Sequence, residues 1–267
     1  MLATGKSFST WIDARSESAE SLRLPFGEVV VYSSPSPARP ERNEDAAAVG
    51  CRGEDGILLV SDGAGGVPGG ATASRAVLET LVGALEKPGE DGTRAAVLDA
   101  IEAAHAEVVR RTPGAMATVA VMLVGRGEVR SITVGDSMCL VVGGRGKIKY
   151  RSIAHGPVGF AEEAGMITER EAMKHEDRHL VSNMLGMGEM RIEVGGRFKL
   201  ASRDTLLVAS DGLFDNLYLR EIAECIRSGP LEAGVTRLVE RSHGRMQRGE
   251  GAGKPDDLTI VACRSGK

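Results

Sequence analysis

The stretch from Ile57 to Thr72, ILLVSDGAGGVPGGAT, constrains the fold more than any other part of the chain. Ile57 to Val60 is short, apolar and bounded by turn formers, which predicts a buried strand. The strand delivers Asp62, glycines follow at 63, 65, 66, 69 and 70, and from Ala71 to Leu85 apolar residues recur at helical spacing. A dinucleotide fingerprint uses a similar turn, but an acid there repels pyrophosphate, and the third fingerprint glycine would fall on Pro68. A lone Asp-Gly is otherwise an ordinary turn. A hard divalent cation is the third reading, because it takes carboxylate and carbonyl oxygens and glycines let the backbone approach.

Repetition favours the cation. Ser131 to Val134 leads into Gly135-Asp136-Ser137, and Thr205 to Ala209 leads into Ser210-Asp211-Gly212-Leu213-Phe214-Asp215. Glu44-Asp45 follows Arg42-Asn43, and Asp256-Asp257 precedes the apolar run Leu258 to Cys263. Carboxylates gathered at strand ends repel one another unless a positive charge joins them, so a shared metal site is expected.

Taken in order, Glu44-Asp45, VSDGAGG at 60–66, GDS at 135–137, SDGLFD at 210–215 and PDDLT at 255–259 resemble the motifs of the metal-dependent protein phosphatases, the PPM or type 2C serine/threonine phosphatases, in a bacterial-type single-domain form. The resemblance spans about residues 28–263. It implies an α+β fold in which two antiparallel sheets are sandwiched between helical layers. It also implies hydrolysis of phosphomonoesters by a metal-bridging hydroxide. On that match Asp62 bridges two Mn2+ or Mg2+ ions, the Gly63 carbonyl binds the second, Asp211 and Asp256 complete the first, and Glu44 and Asp45 hold metal-bound waters. Asp136 and Asp215 could help bind a third, weaker ion, or serve only turn and capping chemistry.

Phosphate binding falls to an arginine shortly before the acidic pair, since a guanidinium fork suits a phosphate. The usual spacing lands on Pro40, so Arg39 and Arg42 are both candidates, with a surface ion pair as the alternative role. Other departures are Met138 where arginine usually follows GDS, Asp257 in place of asparagine, and Ala64 where many eukaryotic relatives have a histidine. His155 could replace that leaving-group acid, although a lone histidine more often packs or faces solvent.

The totals agree with a soluble globular protein of one large domain or two small ones. The chain has 267 residues, 42% hydrophobic content, 3% aromatics and a formal charge of −4, which lacks the basic stripe and stacking residues of a nucleic-acid surface. Cys51, Cys139, Cys225 and Cys263 are scattered singly in apolar segments and read as core residues of a reducing compartment. No signal or membrane block is expected, so cytoplasmic location is the default. Residues 1–27 read as an N-terminal lead-in, with Glu28 to Tyr32 the first strand and 28–267 the phosphatase domain.

Helices are expected over Ala71–Glu86, Thr93–Arg111, Leu217–Arg227 and Pro230–Gln247. Thr118–Val124, Glu128–Thr133, Met138–Val142 and Lys147–Arg151 read as an antiparallel meander, with later strands at Arg191–Leu200 and Asp204–Ser210. Gly249 to Pro255 is read as a flexible loop delivering Asp256.

The segment 155–193 contains His175-Glu176-Asp177-Arg178-His179, literally the H-E-x-x-H of zinc proteases. The charged helix before it and the missing third ligand favour a short solvent-facing helix. The segment resembles the phosphatase flap, bordering the active-site cleft, and Thr168 with Glu171 forms a capping box. The expected partners are phosphoserine and phosphothreonine proteins, targets of a separate kinase in a signalling role, without nucleic acid or membrane. The competing class is a phosphoprotein-binding pseudophosphatase. Its degenerate members would lose metal acids, and Asp62, Asp211 and Asp256 are all retained.

Overall fold

Strands covered on both faces read as continuous apolar runs, and the computed structural model shows what covers them. It describes residues 7–64, 69–89, 91–248 and 253–265. In chain order the strands are β1 (Phe8–Ile12), β2 (Glu20–Leu24), β3 (Gly27–Ser34), β4 (Ala46–Arg52), β5 (Asp55–Ser61) and the short β6 (Gly63–Ala64). Helices α1 (Gly70–Leu85) and α2 (Thr93–Arg111) follow. Then come β7 (Met116–Ala117), β8 (Val119–Gly125), β9 (Glu128–Val134), β10 (Met138–Val142) and β11 (Ile148–Arg151), and the small helices α3 (Pro157–Glu163) and α4 (Glu169–Ala172). The chain closes with β12 (Glu193–Val194), β13 (Phe198–Lys199), β14 (Thr205–Ala209), α5 (Asp211–Phe214), α6 (Leu219–Ile226), α7 (Leu231–Arg248) and β15 (Leu258–Ser265).

The strands form a seven-stranded sheet in the order β1-β4-β5-β8-β9-β12, with β13 also on β9, and a six-stranded sheet in the order β11-β10-β14-β15-β3-β2. Every pairing is antiparallel. Alternation along each strand then sorts the apolar side chains into layers. On β5, Ile57 and Leu59 pack under α1 and α2, whereas Leu58 and Val60 point between the sheets. On β15, Leu258 and Ile260 face α6 and α7, while Val261 and Cys263 meet the other sheet. The result is the α-β-β-α sandwich that the motifs imply.

Two expectations change. Residues 8–24, read as a lead-in, supply an edge strand to each sheet: β1 pairs β4 and β2 pairs β3. Their apolar residues are sparse because edge strands have one neighbour, and SESAESLRLP therefore looks polar. The four-strand meander also splits. β8 pairs β9 in one sheet, but β10 leaves for the other and pairs β11 and β14. The crossing is made at Gly135, whose φ of 103° suits glycine and whose Cβ would press on Thr118. The predicted strand Arg191–Leu200 is reduced to β12 and β13, each a two-residue contact with β9.

Candidate active site

Antiparallel register decides where the acids meet. Ala46 at the start of β4 lies opposite Ser61 at the end of β5, so Glu44-Asp45 and Asp62 emerge together. Met138 of β10 lies opposite Ala209 of β14, and Ala209 opposite Ile260 of β15, which gathers Asp136, Asp211 and Asp256 at the same end. Asp215, the C-cap of α5, follows Asp211 by one helical turn and joins them.

Backbone contacts fix these loops. The carbonyl of Glu44 accepts from the Gly63 N–H at 3.2 Å and from the Ser74 hydroxyl. Asp62 is held by Thr118, whose N–H donates to the Asp62 carbonyl at 2.8 Å and whose Oγ1 accepts from the Asp62 N–H at 2.9 Å. Ser137 of the GDS turn bonds Thr118 Oγ1 at 2.7 Å, which ties one acidic turn to the next. Glycine is required at 212, where a Cβ would run into the Asp257 carbonyl.

Burial and crowding favour the protonated form of Asp45, Asp62, Asp136 and Asp256. The Asp62 carboxyl is pushed well above its ordinary range by desolvation, then by Asp45, Asp211, Asp256 and Asp136. Asp45 is raised by burial, then by Asp257, and Asp136 rises to about 8 and Asp256 to about 7 for the same first cause. Asp45 Oδ2 accepts from the Ser210 hydroxyl at 2.7 Å, but buried Oδ1 has no hydrogen-bond partner. An all-oxygen donor set with an orphaned buried carboxylate oxygen suits a hard divalent cation. Yet among the described residues no group of three His, Cys, Asp or Glu side chains is arranged to hold a metal ion.

The charge at that point comes from Lys254. Its ammonium contacts Asp211 at 2.6 Å, Asp215 at 2.9 Å and Asp256 at 3.0 Å. Nothing in the sequence singles out Lys254, which sits in a loop read only as flexible; residues 249–252 of that loop lie outside the described ones.

At the other end of the row, Arg39 and Arg42 both pair with Glu44, at 3.5 and 3.0 Å. Asp257, in the place of the usual asparagine, accepts from the N–H groups of Ser36 and Glu44, both at 2.7 Å. A carboxylate satisfies both donors, whereas an amide offers only one acceptor. Asn43 ties the same loop to the N-terminal segment, donating to the Ala14 carbonyl at 2.8 Å.

His155 has both ring nitrogens engaged. Nδ1 accepts from the Gly135 N–H at 3.1 Å and from the Asn183 amide at 2.8 Å, so the proton is on Nε2 and is donated to Glu193 at 3.0 Å. It joins the GDS turn to the segment 155–193 and is buried, which removes it as a leaving-group acid. In that segment Thr168 and Glu171 form the expected capping box, and Glu169 accepts from the Leu219 N–H at 2.6 Å. A cavity of about 90 Å3 lies between it and α5, lined by Met173, Arg178 and Asp215. His175 caps and His179 ends a 3-10 turn with no buried residue, and among the described residues no metal-like cluster forms there. Met138 is buried, as expected, and so are Cys139, Cys225 and Cys263, whereas Cys51 is only half-buried.

Known structures share the architecture. The PPM Ser-Thr phosphatase MsPP from Mycobacterium smegmatis, in complex with cacodylate, matches with a TM-score of 0.75 and 27% identity, covering 89% of this chain and 98% of that one. The Mycobacterium tuberculosis serine/threonine phosphatase PstP/Ppp matches at 0.74 with 24% identity over 89% and 98%. Staphylococcus aureus Stp1 matches at 0.74 with 22% identity over 96% and 100%. No curated protein matches the sequence at a significant level. A family model described as protein phosphatase 2C matches residues 38–248, through the acidic loop, the GDS turn and the SDGLFD helix, and the chain therefore belongs to the protein phosphatase 2C family.

Proposed function

We propose that this chain is a Mn2+- or Mg2+-dependent phosphatase of phosphoserine and phosphothreonine proteins. The observation that carries the reading is the convergence of Asp45, Asp62, Asp136, Asp211 and Asp256 from separate strand ends onto one another's field. Asp62, Asp211, Asp256 and the Gly63 carbonyl would hold two ions, with Glu44 and Asp45 ordering the solvent around them. When bound, such ions lower the pKa of water and offset charge on phosphoryl oxygens.

The protein's own groups do the rest. Arg39 and Arg42 stand at the rim, with side chains 52% and 36% exposed, free to turn a guanidinium toward an entering phosphate while Glu44 keeps them near. Thr118 fixes Asp62 through two backbone contacts, so the carboxylate need not reorganise as charge develops. The segment 155–193 borders the cleft and would carry the contacts that choose among phosphoproteins, the targets of a separate kinase. A structure of similar fold, the catalytic domain of the serine threonine protein phosphatase PstP in complex with 2 manganese ions, supports the choice of metal at a TM-score of 0.71 and 24% identity. A cytoplasmic signalling role fits the buried thiols of Cys139, Cys225 and Cys263. Among the described residues no helix is long and apolar enough to cross a membrane.

One observation favours a second reading. Lys254 already neutralises part of the acidic group, as would suit a family member that binds phosphoproteins without turning them over. Metal-stripped protein assayed on p-nitrophenyl phosphate and a phosphothreonine peptide, with Mn2+ or Mg2+ restored, separates the two. Turnover that depends on the ion and disappears in Asp62→Asn supports the phosphatase. Folded protein that binds Mn2+ and stays inert on both substrates supports the binding role.

A further inference from the structure

The end of the sandwich away from the acids holds a second charged cluster, of opposite sign. A cavity of about 580 Å3 opens there between the β4–β5 turn, the connection from α1 to α2, the β8–β9 turn and Arg197. β5 runs its seven residues from Asp55 in the cavity wall to Ser61 beside Asp62, which puts the two sites about 20 Å apart at a strand's rise per residue. The volume falls within the range of small-molecule sites.

Alternation along β9 brings an arginine into a position where apolar residues precede the helical layer. Ile132 and Val134 pack beneath the helices, and Arg130, two residues earlier on the same face and opposite Leu123, ends that row at the cavity. Its neighbours are cations: Arg94 from the first turn of α2 and Arg197 from the link between β12 and β13. Partial burial, then the fields of these two arginines, push the Arg130 guanidinium below its ordinary pKa, and Glu128 opposes them. Glu128 already stands 3.5 Å from Arg197. The other acids of the wall are placed elsewhere: Glu54 pairs with Arg126 at 3.7 Å on the outer turn, Asp55 Oδ1 lies against Gly125, and Asp91 is exposed. Arg52 is engaged by the carbonyls of Ala84, Leu85 and Lys87 at the end of α1. Among the described residues neither Arg94 nor Arg130 has an ion pair.

Helix α2 adds donors beside them. This 19-residue helix starts at the cavity with Gly92 as its cap, no capping side chain and no acid in its first turn, so its first N–H groups and the positive end of its dipole open there. Thr93 lines the cavity at 9% exposure, and its hydroxyl has no hydrogen-bond partner among the described residues.

We propose that this cavity is a binding site for a small phosphorylated ligand, whose phosphoryl oxygens take the guanidinium groups of Arg94 and Arg130, the Thr93 hydroxyl and the first N–H groups of α2. Guanidinium forks and an uncapped helix start are donors that suit a phosphoryl group. Among the described residues the wall has no aromatic side chain, so the phosphoryl group rather than a stacked ring gives the recognition. The site uses no metal and none of the acids near Asp62, and it stands apart from the proposed hydrolysis.

The test is calorimetric titration of the full-length protein in EDTA with inorganic pyrophosphate, for wild type, Arg94→Ala, Arg130→Met and a double variant carrying Arg39→Ala and Arg42→Ala. EDTA removes metal that pyrophosphate would otherwise chelate, and the double variant removes the arginines beside the acids. Expected is one equivalent in wild type and in the double variant, with binding roughly tenfold weaker or more in Arg94→Ala and in Arg130→Met, the scale of one lost hydrogen bond to a charged group. Pyrophosphate should also raise the melting temperature of wild type and of the double variant, and that of Arg130→Met much less. Arg94 is exposed, so Arg94→Ala carries the test should circular dichroism show Arg130→Met unfolded. Binding lost in the double variant and kept in Arg94→Ala would place the anion beside the acids and overturn the site. Wild type that binds no pyrophosphate, or that binds it no better than folded Arg94→Ala and Arg130→Met, would overturn it as well.

Discussion

The two ends of the acidic row are neutralised in opposite ways. At one end Glu44 meets Arg39 and Arg42, long side chains on an irregular loop, about half and a third exposed. At the other, Asp211, Asp215 and Asp256 share the single ammonium of Lys254, whose backbone is clamped by a buried asparagine. Exposed pairs are worth little and exchange readily with solvent or an arriving anion, whereas a partly buried ammonium among several carboxylates is held by all of them. The comparison separates an exposed end, at which the proposed phosphate contacts would form, from a clamped end that keeps carboxylates in place. Asp62 lies between them.

The largest effect is expected at that midpoint. Asp62→Asn keeps the shape but removes the charge that both ends surround, and turnover should fall on the order of a thousandfold, the scale seen when one preorganised electrostatic contact is lost. Near-normal rates in this variant would mean that neither end serves the chemistry.

Next comes the loop that carries the exposed end. Asp257→Ala leaves the N–H groups of Ser36 and Glu44 without an acceptor and should cost about 3 kcal/mol, from bonds to a charged group worth roughly 1.5–3 kcal/mol each. Asp257→Asn should cost less, because an amide still accepts one of the two bonds. Denaturant melts with equal cost for both would deny the double acceptor its role.

The fixed end has a pH signature. Burial and repulsion hold Asp136 up to about 8 and Asp256 up to about 7, against 3.8 for a free carboxyl. The folded metal-free protein therefore keeps protons that the unfolded chain gives up near pH 4. Stability is fullest below that pH and declines as pH rises toward about 8. Melting temperature in EDTA should fall between about pH 5 and pH 8, and saturating Mn2+ should flatten the slope because the ion replaces those protons. A flat EDTA profile would show that Lys254 alone neutralises the cluster.

At the exposed end, Arg39→Ala and Arg42→Ala should raise KM several-fold with a smaller change in kcat, as expected for ground-state phosphate contacts. Unchanged kinetics in both would reduce them to surface partners of Glu44.

What could be read from the sequence follows the same division. Strand-then-acid units are legible because a buried strand is a local pattern and each acid sits at its end, so Asp62, Asp136 and Asp211 are found before any fold is drawn. Their convergence follows from antiparallel register. Residues that hold them are invisible for a physical reason: Thr118, Ser210 and Asn216 act through contacts distant in sequence, and a single Thr, Ser or Asn near a strand end has no periodicity. Lys254 is hidden in the same way, since a lysine in a glycine-rich loop is ordinarily solvated. Residues 8–24 mislead for another reason, because edge strands bury little and need no apolar run.

The smallest effect is expected at His175, where sequence alone gives the most specific wrong motif. A zinc site of the H-E-x-x-H kind needs an α-helix, in which residues four apart share a face. Here Glu176–His179 forms a 3-10 turn, where residues three apart eclipse and four apart diverge. His175 stands outside it as the cap, its Nδ1 accepting from the Asp177 N–H at 3.2 Å, while His179 Nδ1 lies 2.9 Å from the Glu176 carbonyl. Nδ1 of each ring is thus engaged by local backbone. His175→Ala should leave turnover within about twofold of wild type and stability within about 0.5 kcal/mol, as for other exposed substitutions. A variant that lost activity together with a bound zinc would move the chemistry from the acidic row to this turn, and both ends of the row would then be only structural.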